Sequence, residues 1–162
     1  MVPLGIRMSS GIQLAAGAGE LRLQSADPSV QPFLDYRYLE EDVDRDRLRE
    51  TVRICVALGE DPAFKDIIAE RMEPTDAELA SDEALDEFLY REVSTSQHIS
   101  CTCKMGPESD PMAVVSQYGK VHGLEGLRVV DASIMPDCIR ANTNCTTIMI
   151  GERVADWINQ GQ

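Results

Sequence analysis

Apolar positions recur at helical spacing through the middle of the chain and again at its C-terminal end, and the stretch between is irregular. Leu48, Val52, Cys55 and Leu58 stand three or four residues apart, which places them on one face of a helix that Gly59 ends. Asp61-Pro62 marks the start of a second helix, a capping side chain followed by proline in the first turn, with Phe64, Ile67 and Ile68 as its buried side. Thr75 and Glu78 have the spacing of a capping box. Ser81 caps a further helix that buries Leu85, Phe88 and Leu89, so helix signals dominate from 42 to 92. The acids on these helices are expected to face solvent. A last helix over 144–159 presents Ile150, Val154 and Ile158, with Trp157 beside them. Residues 20–24 alternate polar and apolar, which predicts a short half-buried strand. A turn at 25–28 follows, then a second extended piece at 33–36. Leu127-Arg128-Val129-Val130-Asp131 reads as a buried strand ending in an acid. The pattern predicts an α+β fold, with a small mostly antiparallel sheet and helices on one side.

Length and charge narrow the classes. A chain of 162 residues can bury a core, and its 43% hydrophobic and 27% charged residues are ordinary for a globular protein. The net charge of −13 argues against a nucleic-acid partner, because phosphates need clustered Lys and Arg. No apolar run approaches the roughly 20 residues of a membrane span. Residues 1–5 lack the basic start and apolar stretch of a signal peptide, so a cytoplasmic location is expected. Five cysteines, an odd number, point to reduced thiols, with Cys55 on a core face.

Two segments carry candidate chemistry. The first, Ser96–Gly106, holds a lone histidine, His98, in a polar stretch of small residues. A lone histidine is more often structural, but a neutral imidazole there also suits a general base. His98, Cys101 and Cys103, with Cys138 or Cys145, also form a possible metal- or thiol-binding module, although Cys-x-Cys is a poor match to zinc spacing. The second segment runs from Asp131 to the helix opened by Asn142, Thr143 and Asn144. A helix N-terminus carries unpaired N–H groups and partial positive charge, suited to an anion or a carbonyl that becomes negative. An ordinary capped helix start fits the same residues.

Together the segments are more specific. His98-x-x-Cys101-Thr102-Cys103-Lys104-Met105-Gly106, then Asp110–Val115, Val121–Pro136, Asn142-Thr143-Asn144 and Ile148–Glu152, resemble in order and spacing the C-terminal end of the glucose–methanol–choline (GMC) oxidoreductases, choline dehydrogenase-like members included. The resemblance implies an FAD-dependent oxidation of an alcohol's CH–OH group. By it, His98 matches the catalytic base and Asn142 the residue that holds the alcohol oxygen. Asp131 and Ala132 match a pair lying along the FAD, and Thr143 and Asn144 match residues whose backbone meets the flavin. The chain departs from the family pattern at Cys101, where glycine is common, at Ala141, also commonly glycine, and at Cys145-Thr146, commonly Ala-Pro.

The resemblance also implies a missing part. The family's FAD pyrophosphate site opens with G-x-G-x-x-G between a strand and a helix. Gly17-Ala18-Gly19 precedes a strand and reads as a turn. The chain is therefore expected to be a C-terminal fragment, inactive and without FAD when alone. Residues 1–120 would belong to the substrate domain, and 121–162 would return to the absent FAD-binding domain. The expected partners are that domain and a small alcohol, with homo-oligomers favoured by the apolar face left uncovered.

Overall fold

The computed structural model describes residues 5–162, so the expectation for the first four residues lies outside the described part. The chain divides into two compact units, one ending at Ser94 and the other spanning Thr95–Gln162. The fold class is α+β, as the pattern predicts. Two short strands, β1 (Glu20–Arg22) and β2 (Phe33–Asp35), pair antiparallel with Leu21 opposite Leu34. Three helices follow: α1 (Asp42–Gly59), α2 (Asp82–Glu92) and α3 (Asn144–Asn159). No helix among the described residues is long and apolar enough to cross a membrane.

In the first unit α1 packs on α2. Leu48 and Val52 meet Leu85, Phe88 and Leu89, and Leu39 completes the buried cluster. Ser81 caps α2 as expected, its hydroxyl accepting from the Ala84 N–H at 3.2 Å. Thr75 and Glu78 make the reciprocal bonds of a capping box, Thr75 N to Glu78 Oε2 at 2.6 Å and Glu78 N to Thr75 Oγ1 at 3.3 Å. Arg49 ties the helices together through both oxygens of Asp86, at 2.9 and 2.8 Å.

Four expectations fail here. The helix after Asp61-Pro62 stops after one 3-10 turn, Pro62–Phe64. Of its apolar residues only Ile68 is partly buried; Phe64 is exposed and Ile67 stays 65% exposed. The strand β1 is not half-buried, because Leu21 and Leu23 face outward. Leu58 is exposed and Cys55 only half-buried, so the buried face of α1 is Leu48 and Val52. Asp44 is not a solvated acid: it is 3% exposed and accepts from the Ala16 and Gly17 N–H groups. Those bonds give Gly17 a structural role. Gly19 has one too, since a Cβ there would stand 2.2 Å from the Asp35 carbonyl.

The second unit is built on loops that cross-bond without a ladder. Cys101, Cys103 and Met105 donate their N–H groups to the carbonyls of Ala132, Ser133 and Ile134. Residues 127–131 do not form the strand their pattern suggests. They make a single antiparallel bridge, Lys120 to Arg128, and Leu127 is exposed. The turn at Gly119 allows that bridge. Its φ is +72°, and a Cβ would lie 2.7 Å from the Val129 carbonyl oxygen, so glycine is required. Val115, Ile134, Met135, Ile150 and Val154 form the core. Trp157 packs edge-on to Tyr118 with ring centroids 5.0 Å apart. Ile158, placed on the buried face by its spacing, is exposed.

One acid-sensitive link holds the 104–112 loop. Lys104 Nζ lies 2.9 Å from Asp110 Oδ2, and the Met112 N–H donates to Asp110 Oδ1. The Lys104 ammonium, with that N–H, holds the Asp110 carboxyl below the usual carboxylate range. A depressed folded-state value means the link stabilises fully above the unfolded carboxylate range, near pH ~4, and fades as pH falls through the lower folded value. Replacing Asp110 by Asn should therefore flatten the low-pH arm of the stability curve, as followed by circular dichroism in an acid titration. An unchanged arm would remove Asp110 as a contributor.

Candidate active site

The site is assembled by the cross-bonded loops of the second unit. Cys101 N bonds to the Ala132 carbonyl, which holds the chain just after His98 beside the segment leading to α3. The His98 ring, half-buried, then lies between two side chains at the start of α3. Its Nε2 is 2.6 Å from Asn142 Oδ1, and its Nδ1 is 3.2 Å from Thr143 Oγ1. His98, Asn142 and Thr143, more than forty residues apart in sequence, are thus brought together.

Thr143 does more than the sequence suggested. Its position was expected to offer backbone alone, and its hydroxyl instead holds the imidazole. A threonine hydroxyl both donates and accepts, so it serves either protonation state of Nδ1. Spending the hydroxyl on His98 leaves α3 without a side-chain cap. The helix therefore differs from the ordinary capped start that Asn and Thr usually make. Its first-turn N–H groups, from Asn144 onward, are donors without a side-chain acceptor. That donor set fits an electron-rich carbonyl edge such as a flavin's pyrimidine ring. Asp131 is exposed, and its Oδ1 accepts from the Ser133 N–H at 2.8 Å and the Ser133 hydroxyl at 2.5 Å. Ala132 caps no group, but its carbonyl anchors Cys101.

The cysteines do not gather around the histidine. Among the described residues no three His, Cys, Asp or Glu side chains are placed to hold a metal ion. Cys101 has its own peculiarity, a φ of +70°. L-residues other than glycine resist that conformation by roughly 1–2 kcal/mol. The departure from glycine noted at this position is therefore a strained one. Replacing Cys101 by Gly should stabilise the chain by about 1 kcal/mol, less the added freedom of the unfolded glycine. Urea unfolding reads the effect, and a loss of stability would show that thiol packing outweighs the strain.

The family model for the C-terminal region of the GMC oxidoreductases matches residues 15–151. The chain belongs to the GMC oxidoreductase family. The oxygen-dependent choline dehydrogenase of Escherichia coli is 42% identical over 154 residues, which is 95% of this chain and 27% of that protein. That of Serratia proteamaculans is 41% identical over 156 residues, 96% of this chain and 28% of that protein. A formate oxidase of Aspergillus oryzae, solved in a study of FAD modification, superposes with a TM-score of 0.80 at 30% identity, over 91% of this chain and 26% of its own. The chain thus spans about a quarter of the length of the relatives it matches.

Proposed function

We propose that this chain is the C-terminal part of an FAD-dependent alcohol oxidoreductase, with His98 as the base that takes the alcohol's hydroxyl proton. The observation that carries the reading is the His98–Asn142–Thr143 contact set at the start of an uncapped helix. When bound, FAD would supply the two-electron acceptor, with N5 as the position for hydride. His98 accepts the proton at Nε2 while Thr143 steadies Nδ1. An alcohol oxygen would replace the direct 2.6 Å contact between Nε2 and Asn142, the two groups moving apart to admit it and the Asn142 amide turning so that Nδ2–H donates to that oxygen. The backbone N–H groups of Thr143 and of Asn144 at the start of α3 would hold the flavin's carbonyl edge, and Asp131 and Ala132 would lie along the cofactor. Residues 1–120 contribute to the substrate domain, and 121–162 return to the FAD-binding domain. Exposed Leu124, Leu127, Ile148 and Met149 are the surface that domain covers.

A chimera tests the reading. This chain replaces the matching quarter of the Escherichia coli choline dehydrogenase, and the product is titrated anaerobically with a panel of primary alcohols. The expected result is a yellow protein whose flavin absorbance bleaches with at least one alcohol, while the chain by itself binds FAD weakly or not at all. A chimera that folds and holds FAD but is bleached by none would overturn the proposal.

A further inference from the structure

Cys101 and Cys138 are 37 residues apart in sequence, yet their sulfurs lie 3.9 Å from one another. Ser100 sits between them: its hydroxyl accepts from the Cys101 thiol at 3.3 Å and donates to Cys138 Sγ at 3.7 Å. Cys138 is exposed and lies in irregular chain between the 132–134 turn and α3, so its sulfur can shift without breaking an element. Cys101 is half-buried. Among the described residues no other pair of cysteine sulfurs is in such contact. The backbone of Cys101 carries strain that a glycine would avoid, and its side chain is aimed at the second thiol. Neither residue belongs to the His98–Asn142–Thr143 set, although Cys101 follows His98 by three positions and Cys138 precedes Asn142 by four.

We propose that Cys101 and Cys138 are a dithiol modification site that closes to an intramolecular disulfide on exchange with a low-molecular-weight disulfide. The exposed Cys138 reacts first: its thiolate attacks one sulfur of the small disulfide, forms a mixed disulfide and releases one small thiol. Burial pushes the Cys101 thiol up, and nearby Cys138 and Asp137 add to the effect, so Cys101 is the resolving partner and not the first attacker. Cys101 then gives its proton up through the Ser100 hydroxyl and attacks the Cys138 sulfur, and the second small thiol leaves with a proton. Two cysteine thiols are oxidised, one small disulfide is reduced to two thiols, and atoms and electrons balance. The bridge would join the two segments that carry His98 and Asn142. The chemistry does not depend on the flavin reading, because no cofactor or alcohol takes part.

The test uses the chain as it stands. It is incubated with oxidised glutathione, its remaining thiols are alkylated, and it is digested and mapped by mass spectrometry without reduction. The expected product joins the Cys101 peptide to the Cys138 peptide, lighter than the two reduced peptides by about two hydrogens, and dithiothreitol reverses it. Cys103 shares a tryptic peptide with Cys101, so a Cys103→Ser variant should still form the bridge. Cys101→Ser should stop at glutathione on Cys138, and Cys138→Ser should form no bridge. Full alkylation of both residues after oxidation would overturn the proposal. So would a bridge to Cys103 or Cys145, or a Cys101→Ser protein free of glutathione at Cys138.

Discussion

Alanine in place of His98 is expected to slow anaerobic flavin reduction by an alcohol by about 10²-fold or more in the chimera described above, with FAD content unchanged. The argument is geometric. Nε2 is the nitrogen that faces Asn142, where the alcohol oxygen is proposed to sit, and no other imidazole competes for the position. The second histidine, His122, has its Nε2 3.1 Å from the Gly106 carbonyl and serves the loop. Loss of the base should lower the limiting rate more than it weakens alcohol binding, because proton removal belongs to the reaction and not to the ground state. Thr143→Val provides the comparison. It removes the partner of Nδ1 and keeps the base, so it should cost about tenfold, the worth of one hydrogen bond of ~1.4 kcal/mol. Stopped-flow measurement of flavin bleaching reads both. Equal rates for the His98→Ala and unaltered proteins would remove His98 from the chemistry and return it to a structural role.

The parts of this molecule that the sequence announces are those whose signals are local. Helix α3 begins at Asn144 and ends at Asn159, where the spacing places it, because an apolar stripe and its flanking residues are all a helix needs. The Ser81 cap and the Thr75–Glu78 box are legible for the same reason. What fails depends on partners far away in the chain. Residues 127–131 have the composition of a buried strand, but a strand exists only with a neighbour, and Arg128 finds just one bridge. Phe64, Ile67 and Ile68 have helical spacing, but Phe64 and Ile67 stay exposed and only Ile68 is partly buried, so the helix does not continue. The site divides the same way. His98, Asn142 and Thr143 were legible as positions through the combined motif. The use of the Thr143 hydroxyl on His98 Nδ1 was not, since it joins residues 45 apart. The positive φ of Cys101 was equally hidden, apart from the hint that glycine is common there.

Asp44 shows the largest gap between pattern and structure, and its loss should be the most damaging to the first unit. It lies in the first turn of α1, where a carboxylate is favoured by the helix dipole. Its two oxygens accept from the Ala16 N–H at 3.0 Å and the Gly17 N–H at 2.8 Å, and Arg47 Nη1 stands 3.4 Å away. Arg47 itself donates to the carbonyls of Gln13 and Leu14, so the acid and the arginine together bind residues 13–17 to α1. Replacing Asp44 by Ala removes two charge-assisted bonds and leaves two backbone donors without a partner, a loss of about 3 kcal/mol. Asp44→Asn should be nearly as harmful, because its amide sets a donor against one of the two N–H groups. Asp46, two residues on, is the control: its side chain is 65% exposed and it pairs with Arg49 on the helix surface. Removing Asp46 should cost less than about 1 kcal/mol, as for exposed ion pairs. Urea unfolding of the three variants reads the difference as a shift in midpoint of ~1–2 M for Asp44→Ala. Hydrogen exchange should show the amides of both Ala16 and Gly17 losing protection in Asp44→Ala, one of them in Asp44→Asn, and neither in Asp46→Ala. If Asp44→Ala costs no more than Asp46→Ala, the burial of Asp44 is incidental and residues 13–17 are held by Arg47.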